Sequence, residues 1–439
     1  MLVRARQIFL FIADAILLYA TLFLVLLVRY GQISRFLIDA HIGPFSIVFV
    51  LWVAIFYIIG LYDIRALKKG YELFEQLILS VAIGSAVAVA LFYSIPSFKI
   101  TPKTSLALFA LFFFAIESGW RNIFVHWSKT PQKYVLVIGS GKDVEDLEKF
   151  LFENPHVGYK ISFQIRDPQD INSRLIEDVI VKNNITTILI DPKSVPADAV
   201  FDELYRHMAG GIEIMNLSAA YEGIFKKLPL SEVKDFGLVT EMSRSRRIYE
   251  AIKKPLEIFI ALILFIVLLP LMLIVYLLVK ITSKGPGIYK QIRVGKNEKN
   301  FILYKFRTMR FNAEESGPQW SSSEDERTTF IGKVLRRTHL DELPQLINII
   351  KGEVSFVGPR PERPEFVIKL KEKIPYFDIR HMVKPGITGW AQINFRYGSS
   401  VEDAMQKLQY DLFYIKNRSL GLDFLVILKT IKMFIFNYK

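Results

Sequence analysis

The strongest constraint on the fold is a series of long apolar segments in the first part of the chain. Four such segments cover residues 8–28, 43–61, 73–94 and 104–125. Each is close to the roughly 20 residues that an α-helix needs to cross the hydrocarbon core of a bilayer. The sequence therefore predicts a membrane protein with a four-helix transmembrane bundle over residues 1–130, in preference to a soluble helical bundle.

The first apolar segment reads as a transmembrane helix and not as a cleavable signal. Arg4 and Arg6 precede it, but it is long for a signal core and no small-residue cleavage site follows. A weak excess of basic residues favours the cytoplasmic side for both ends of the bundle. These residues include Arg65, Lys68 and Lys69 between the second and third segments, and Arg121, Lys129 and Lys133 after the fourth.

The composition agrees with a membrane protein that handles anions. Hydrophobic residues make up 51% of the 439 residues, and 56 lysines and arginines against 43 aspartates and glutamates give a net charge of +13. Such a balance favours anionic lipids, phosphorylated substrates or nucleic acid as partners. Because cysteine is absent, disulfides, thiolate zinc sites and cysteine nucleophiles are excluded.

A different pattern begins after the fourth segment. Residues 134–138 form an apolar run typical of a buried strand, a helical stretch follows at 144–152, and further strands are predicted at 186–190 and 212–215. Strands that alternate with helices predict a parallel sheet. We therefore expect a Rossmann-like α/β domain over residues 131–242.

This domain carries only part of a dinucleotide fingerprint. Gly139 and Gly141 follow the first strand, but Val144 occupies the position of the third glycine. The segment also lacks the Tyr-x-x-x-Lys pair of short-chain dehydrogenases. A regulatory or scaffolding role is therefore favoured over dinucleotide binding.

A fifth apolar segment runs from Pro255 to Val279, with Pro270 near its middle. One crossing here would place everything after it on the opposite side from the α/β domain. Basic residues on both flanks and a central helix-breaking proline favour instead a re-entrant helix over about 250–281, with a proline-kinked span as the alternative. The flanking residues are Arg244, Arg246, Arg247, Lys253 and Lys254 before the segment, and Lys280, Lys284, Lys290 and Arg293 after it.

The chemistry concentrates further downstream, around two adjacent carboxylates. Asp341 and Glu342 follow Arg336 and Arg337, and Arg360 lies between two prolines a short way on. A carboxylate can attack phosphorus while arginines hold the phosphate oxygens. The pattern therefore indicates transfer of a phosphate-bearing group at a membrane.

Several alternatives remain open in this region. Thr338 and Asp341 could be a helix-capping pair, with the acids favoured by the helix dipole. Lys305 and Arg307 would point the same way on a strand, either toward phosphate or into an ion-paired scaffold. Residues 420–436 could be an interfacial amphipathic helix or a helix packed on the domain core.

The region from about residue 244 to the end resembles the bacterial sugar transferases, the polyprenyl-phosphate hexose-1-phosphate transferases of the monotopic phosphoglycosyl transferase superfamily. The arrangement of the whole chain is similar to that of the larger members of this family. The matching motifs are Gln291-x-Arg293-Val294-Gly295, Lys305-Phe306-Arg307-Thr308-Met309, Leu340-Asp341-Glu342-Leu343-Pro344-Gln345-Leu346, Val357-Gly358-Pro359-Arg360-Pro361 and Lys384-Pro385-Gly386-Ile387-Thr388-Gly389-Trp390.

The resemblance implies a C-terminal α/β catalytic domain over 243–439 and an enzyme of the EC 2.7.8 type. It would transfer sugar-1-phosphate from a UDP-sugar to polyprenyl (undecaprenyl) phosphate, giving polyprenyl-diphosphate-sugar and UMP. This transfer would be the first membrane step of exopolysaccharide, capsule or O-antigen synthesis. Asp341 would be the nucleophile that forms an aspartyl-phosphosugar intermediate, and Asp341 with Glu342 would hold Mg²⁺.

The implied phosphate-binding residues are Arg336, Arg337, Arg360, Arg307 and Lys305. The expected partners are the UDP-sugar, the polyprenyl phosphate and the membrane, with no nucleic acid and with assembly as a homo-oligomer left open. The expected location is the cytoplasmic face of the bacterial inner membrane.

Two positions depart from the family pattern. The helix entry has Lys253-Lys254-Pro255-Leu256-Glu257 where the family usually has Lys-Arg and then an aspartate. Glu298 stands where the family usually has a glycine, so the conformation of that turn is in question.

Two rival functions remain to be weighed. One is a membrane-tethered nucleotide-sugar dehydratase or epimerase, and the other is a non-enzymatic scaffold for polysaccharide assembly. The identity of the sugar, the oligomeric state and the role of the α/β domain are not encoded in any motif.

Overall fold

The computed structural model describes most of the chain. Residues used above for orientation, namely Arg65, Lys68, Lys69, Lys129 and Arg244, lie outside the described residues. The described residues are 2–62, 71–95, 98, 103–127, 132–154, 158–166, 173–191, 205–230, 241–242, 246–310, 313, 326–395 and 400–436.

The chain divides into two compact units. The domain boundaries expected from the sequence (1–130, 131–242 and 243–439) stay predictions. The first unit contains Met1–Leu136, Glu148–Phe163 and Val179–Thr186, and the second contains Val137–Leu147, Gln164–Asp178 and Thr187–Lys439.

The first unit begins with the helices predicted from the apolar segments. They are α1 (Leu2–Tyr30), α2 (Arg35–Ile59), α3 (Tyr71–Ser94) and α4 (Lys103–Trp127). In the described part of the chain, five helices are long and apolar enough to cross a membrane: these four and one later helix. The chain is therefore a membrane protein.

These helices pack through aromatic rings and one buried ionic cluster. Trp52 is fully buried, and a Cβ at Gly84 would lie 2.6 Å from its ring, so only glycine leaves room for it. Arg121 pairs with Asp14 and, at 2.6 Å, with Glu117. All three are fully buried. Burial of charges in an apolar interior costs free energy, and their pairing offsets that cost.

The predicted parallel sheet is present. The elements of this region are β1 (Lys133–Ile138), α5 (Lys142–Glu153), β2 (Tyr159–Ile165), α6 (Ser173–Lys182), β3 (Thr187–Ile190), β4 (Glu213–Asn216) and α7 (Leu217–Phe225). The sheet has strands in the order β2-β1-β3-β4, and β3 pairs with β4 in parallel, with Ile188 opposite Ile214. Gly139 and Gly141 both have positive φ, +141° and +118°, as a glycine turn after β1 requires.

The remaining elements of the second unit surround two small sheets. The elements are α8 (Arg247–Thr282), β5 (Ile288–Val294), β6 (Asn300–Phe306), α9 (Phe330–Thr338), a 3₁₀ turn (Leu340–Gln345), α10 (Leu346–Ile350), β7 (Ser355–Val357), α11 (Pro364–Lys373), a second 3₁₀ turn (Phe377–Met382), β8 (Gly386–Thr388), α12 (Trp390–Asn394), α13 (Val401–Asn417) and α14 (Leu420–Phe436). The strands β5 and β6 form an antiparallel hairpin, and β7 pairs with β8 in parallel.

The fifth apolar segment forms α8, which is helical on both sides of Pro270. Its early residue Ala261 packs in a cluster with Leu303 and Ile349, and its later residue Val279 packs in another. Both parts of the helix therefore belong to clusters that include residues of the same strand, β6. Whether α8 doubles back in the bilayer stays a prediction.

The main core of the second unit lies between α11, α13 and α14. One face of α14 packs on this core through Leu422 and Leu425, which confirms the core-packed interpretation for that face. The other face leaves Phe424 and Phe434 60% and 48% exposed, so an interfacial role for it stays a prediction. Leu228, which follows the α/β sheet in sequence, belongs to the same core.

Candidate active site

The two adjacent carboxylates lie in the 3₁₀ turn Leu340–Gln345, immediately after α9. His339, with a φ of +54°, ends α9 in the left-handed conformation and redirects the chain into the turn. The hydroxyl of Thr338 donates to the carbonyl oxygens of Val334 at 2.9 Å and Leu335 at 3.2 Å. Thr338 therefore does not cap the turn, and the capping alternative is wrong.

Glu342 is held by two cations from different elements. Lys305 Nζ, near the end of β6, donates to Glu342 Oε1 at 2.7 Å, and Arg360 Nη2 donates to the same oxygen at 3.0 Å. Burial alone would raise the pKa of Glu342, but Lys305 and Arg360 outweigh it and hold the pKa at about 2. Glu342 is therefore a permanent anion at neutral pH.

Asp341 has a contrasting environment. Its side chain is buried, and among the described residues none donates a hydrogen bond to its carboxylate. Burial raises the pKa of Asp341 and the neighbouring Glu342 raises it further, while Lys305 opposes both. A carboxylate that is desolvated and not engaged in hydrogen bonds is a better nucleophile than a solvated one. The two acids thus have environments that separate their roles.

Lys305 and Arg307 bond to different partners. The strand β6 ends at Phe306, and Arg307 Nη2 turns to Ser283, donating to its carbonyl oxygen at 2.8 Å and its hydroxyl at 2.6 Å. The two side chains thus have different partners, and whether they point the same way stays a prediction. Arg307 Nε and Nη1 are buried and lack a partner among the described residues, so a phosphate-binding role for it stays a prediction.

Arg336 and Arg337, which precede the turn, have surroundings that differ from those of Lys305 and Arg360. Arg336 Nε donates to the hydroxyl of Thr308 at 3.0 Å, whereas Arg337 is exposed on α9. A Cβ at Gly332 would lie 2.0 Å from the carbonyl oxygen of Thr308, so α9 packs directly on this segment. Arg336 therefore ties α9 to the segment after β6, and contact of either arginine with phosphate stays a prediction.

Arg360 is held by its backbone. Arg380 Nη2 donates to the carbonyl oxygen of Arg360 at 3.0 Å and to Asp411 Oδ2 at 2.9 Å. Arg293 Nη1 donates to the carbonyl oxygen of Pro361 at 2.9 Å. Burial raises the pKa of Asp411 to about 6, with Arg380 opposing the rise. The prolines, Arg293 and Arg380 together fix the backbone that carries Arg360.

Arg380 and Asp411 were not found from the sequence. The only available signal was an acid on the inward face of α13, at helical spacing from Leu408 and Leu412.

Three motif glycines allow the two loops behind Arg360 to touch. A Cβ at Gly358 would lie 2.4 Å from the carbonyl oxygen of Lys384, and one at Gly386 would lie 2.1 Å from the amide nitrogen of Gly358. A Cβ at Gly389 would lie 2.2 Å from the carbonyl oxygen of Gly358. The spacing of these glycines thus reflects backbone packing that a side chain would prevent.

The start of α8, where the sequence departs from the family pattern, is bonded to neighbouring elements. Lys253 Nζ donates to the carbonyl oxygen of Val357 at 3.0 Å and pairs with Asp423 at 2.9 Å. Glu257 Oε1 accepts from Ser355 Oγ at 2.6 Å and from the amide of Phe356 at 3.1 Å. Lysine and glutamate at these positions therefore tie the start of α8 to β7 and α14.

The second departure from the family pattern has a structural cost. Glu298 has a φ of +60°, in the left-handed region that favours glycine. Its carboxylate forms an ion pair with Lys371. The chain therefore keeps the turn that a glycine would form and places a charged side chain on it.

The donor set is compatible with a partial Mg²⁺ site. The described residues contain no group of three or more histidine, cysteine, aspartate or glutamate side chains. Asp341 and Glu342 offer two carboxylates, and Mg²⁺ commonly combines one or two carboxylates with waters and substrate phosphates. The residues present therefore fit a metal ion that binds together with a diphosphate substrate.

Comparison with known proteins agrees with this geometry. The family model described as bacterial sugar transferase matches residues 248–437, which contain the carboxylate turn and its cations. The exopolysaccharide production protein PSS of Rhizobium leguminosarum bv. phaseoli is 39% identical over 186 residues, covering 41% of this chain and 93% of that protein. The chain belongs to the bacterial sugar transferase family.

Two further relatives of this sugar transferase carry more specific names. The UDP-N-acetylgalactosamine-undecaprenyl-phosphate N-acetylgalactosaminephosphotransferase of Aeromonas hydrophila is 44% identical over 185 residues, 42% of this chain and 44% of that protein. The undecaprenyl-phosphate glucose phosphotransferase of Komagataeibacter xylinus is 30% identical over 314 residues, 69% of this chain and 59% of that protein. The matches thus span about half the length of these two relatives.

Proposed function

We propose that this sugar transferase moves sugar-1-phosphate from a UDP-sugar to polyprenyl phosphate. The products are polyprenyl-diphosphate-sugar and UMP. The observation that carries the proposal is the unequal carboxylate pair: Glu342 neutralised by Lys305 and Arg360, and Asp341 buried beside it without hydrogen bonds from the described residues. The relatives named above as undecaprenyl-phosphate phosphotransferases support the substrate classes.

The reaction has two displacements at phosphorus. A carboxylate oxygen of Asp341 forms a bond to the sugar-bearing phosphorus, and the bond from that phosphorus to the bridging oxygen breaks, so that UMP leaves. A phosphate oxygen of the lipid then attacks the same phosphorus, and the bond to Asp341 breaks to regenerate the carboxylate. Two anionic substrates can therefore use one site in succession.

The surrounding residues supply charge and position. Glu342 keeps Lys305 and Arg360 at the turn, where their remaining donors can bind phosphate oxygens. A Mg²⁺ ion held by Asp341 and Glu342 would neutralise charge on the diphosphate when the donor is bound. The fixed backbone of Arg360 reduces the reorganisation that binding would require.

The proposal places the active site at the cytoplasmic face of the bacterial inner membrane. Four transmembrane helices would precede the α/β domain, and α8 would enter and leave the same leaflet. Contacts at both ends of α8 support this arrangement: Glu257 bonds to Ser355, and Ser283, immediately after the helix, bonds to Arg307. A helix that crossed the bilayer once could not easily keep both ends on one soluble domain.

The test is an assay with purified full-length protein, Mg²⁺, undecaprenyl phosphate and a panel of UDP-sugars, with UMP release as the readout. We expect one or more sugars to release UMP in a lipid-dependent manner, and EDTA to abolish the release. Absence of UMP release across the panel, while a relative such as the Aeromonas enzyme is active in the same assay, would contradict the proposal.

A further inference from the structure

A cavity with charged side chains on a largely apolar lining lies at the beginning of α8. It has a volume of about 300 Å³ and is lined mainly by residues of α8, β7, the segment before β8 and the end of α13, together with Lys296. None of its lining residues is Asp341, Glu342, Lys305 or Arg360. The cavity is therefore a distinct candidate binding site.

The cavity carries more positive than negative charge. Two lining lysines already have partners: Lys253 pairs with Asp423 at 2.9 Å, and Lys296 pairs with Glu250 at 3.8 Å. For Lys254, in contrast, no ion pair or hydrogen bond occurs within the described part of the chain. The ionised form of its side chain thus contributes a charge that the neighbouring acids do not compensate.

Two further cations line the same cavity. Lys384 is half-buried and makes no ion pair or hydrogen bond with the residues that the structure describes. Arg418 is 9% exposed; its Nη1 donates to the carbonyl oxygen of Ile415 at 2.6 Å, and its Nε is buried without a partner in those residues. Burial lowers the pKa of Lys384, the adjacent Lys254 lowers it further, and Glu257 opposes both. Buried cations without counter-ions are costly, and a bound anion would remove that cost.

The position of the cavity indicates where the anion comes from. Directly after Lys254, α8 becomes apolar and exposed: Leu256, Phe259 and Ile260 are 45%, 62% and 38% exposed. Lysines at the polar end of an exposed apolar helix lie at the depth of lipid headgroups. A lipid whose chains lie along these apolar residues would present its phosphate at the cavity.

We infer that this cavity binds the phosphate group of a membrane lipid through Lys254, Lys384 and Arg418. The lipid can be an anionic phospholipid or polyprenyl phosphate, since both present a phosphate on an acyl or prenyl chain. The inference of a lipid-phosphate site concerns binding alone, and only the choice of polyprenyl phosphate as its occupant rests on the proposed function.

The test measures the affinity of detergent-solubilised full-length protein for dioctanoyl phosphatidate by calorimetry. We expect Lys254→Gln and Lys384→Gln each to weaken binding about tenfold, as expected for the loss of a charge-assisted hydrogen bond. Lys373→Gln, which removes the same charge from the exposed end of α11, should change the affinity less than twofold. Dioctanoylglycerol, which lacks the phosphate, should not bind.

Two further arms separate this site from others. Arg360→Ala alters the carboxylate site and should leave phosphatidate affinity unchanged. If Arg360→Ala abolishes binding while Lys254→Gln and Lys384→Gln do not, the lipid binds at the carboxylate turn and the inference is wrong. Equal affinity for inorganic phosphate would overturn the lipid source, and polyprenyl phosphate competing with phosphatidate would identify the substrate as an occupant. If Lys384→Gln does not fold, the exposed Lys254 decides the question alone.

Discussion

Replacing Lys305 with methionine should both destabilise the protein and shift the pH dependence of transfer. Glu342 has an ordinary pKa of 4.5 and a pKa of about 2 in the folded chain. This difference of about 2.5 units corresponds to about 3 kcal/mol of interaction with Lys305 and Arg360, net of the opposing effect of burial. Lys305 is the closer cation, at 2.7 Å against 3.0 Å. Burial lowers the pKa of Lys305 itself and so offsets part of this interaction; its removal should therefore cost about 2 kcal/mol.

The sign of the pH dependence follows from the direction of the shift. Because the folded pKa of Glu342 is lowered, its contribution to stability is full above pH 4.5 or so and is lost as the pH falls toward about 2. Stability should therefore be compared at neutral pH. A loss of about 2 kcal/mol should lower the Tm by about 4–8 °C for a domain of this size.

The activity assay is UMP release as a function of pH. Lys305 also lowers the pKa of Asp341, opposing burial. With methionine at 305, the pKa of Asp341 should rise, and the acid limb of kcat/KM should move to higher pH. Lys373→Met is the matched control, because Lys373 is exposed on α11.

Either of two results would refute this reasoning. One is a Lys305→Met protein with the Tm of the Lys373→Met control. The other is an acid limb that does not move in active Lys305→Met protein, which would show that Lys305 does not act on the carboxylates.

Three further predictions concern single positions. Gly358→Ala should lower the free energy of unfolding by about 1–3 kcal/mol, because the new Cβ would lie 2.4 Å from a backbone oxygen. Gly421→Ala, with open space around the new Cβ, should leave it unchanged, and thermal unfolding compares the two variants. Glu298→Gly should be more stable than Glu298→Ala by about 1 kcal/mol, since both lose the ion pair with Lys371 and only glycine relieves the positive φ; equal Tm values would contradict this. Asp341→Asn should reduce UMP release about 10⁴-fold or more without lowering the Tm, and a large loss of stability would assign it a structural role instead.

The sequence was most informative where local pattern determines structure. The helices α1 to α4 and α8 follow from uninterrupted apolar length, since a bilayer tolerates little else. The glycine turn after β1 was likewise predicted, because only glycine adopts those φ values readily. At residue 298, in contrast, a glutamate adopts the positive φ that would favour glycine.

The sequence was least informative about which cations meet which carboxylate. Lys305 and Arg307 are two residues apart, yet Lys305 bonds to Glu342 and Arg307 bonds to Ser283. Arg380 supports Arg360 from a separate turn, and its partner Asp411 lies on α13. Such contacts depend on tertiary packing between distant segments, which no local pattern encodes.

The most direct test of the proposed chemistry is to identify the residue that becomes covalently labelled. Protein incubated with a UDP-sugar labelled in the sugar, without lipid acceptor, should be quenched and analysed by peptide mass spectrometry. We predict a phosphosugar on Asp341 that disappears when polyprenyl phosphate is added. Label on another residue, or full turnover by Asp341→Asn protein, would contradict the account.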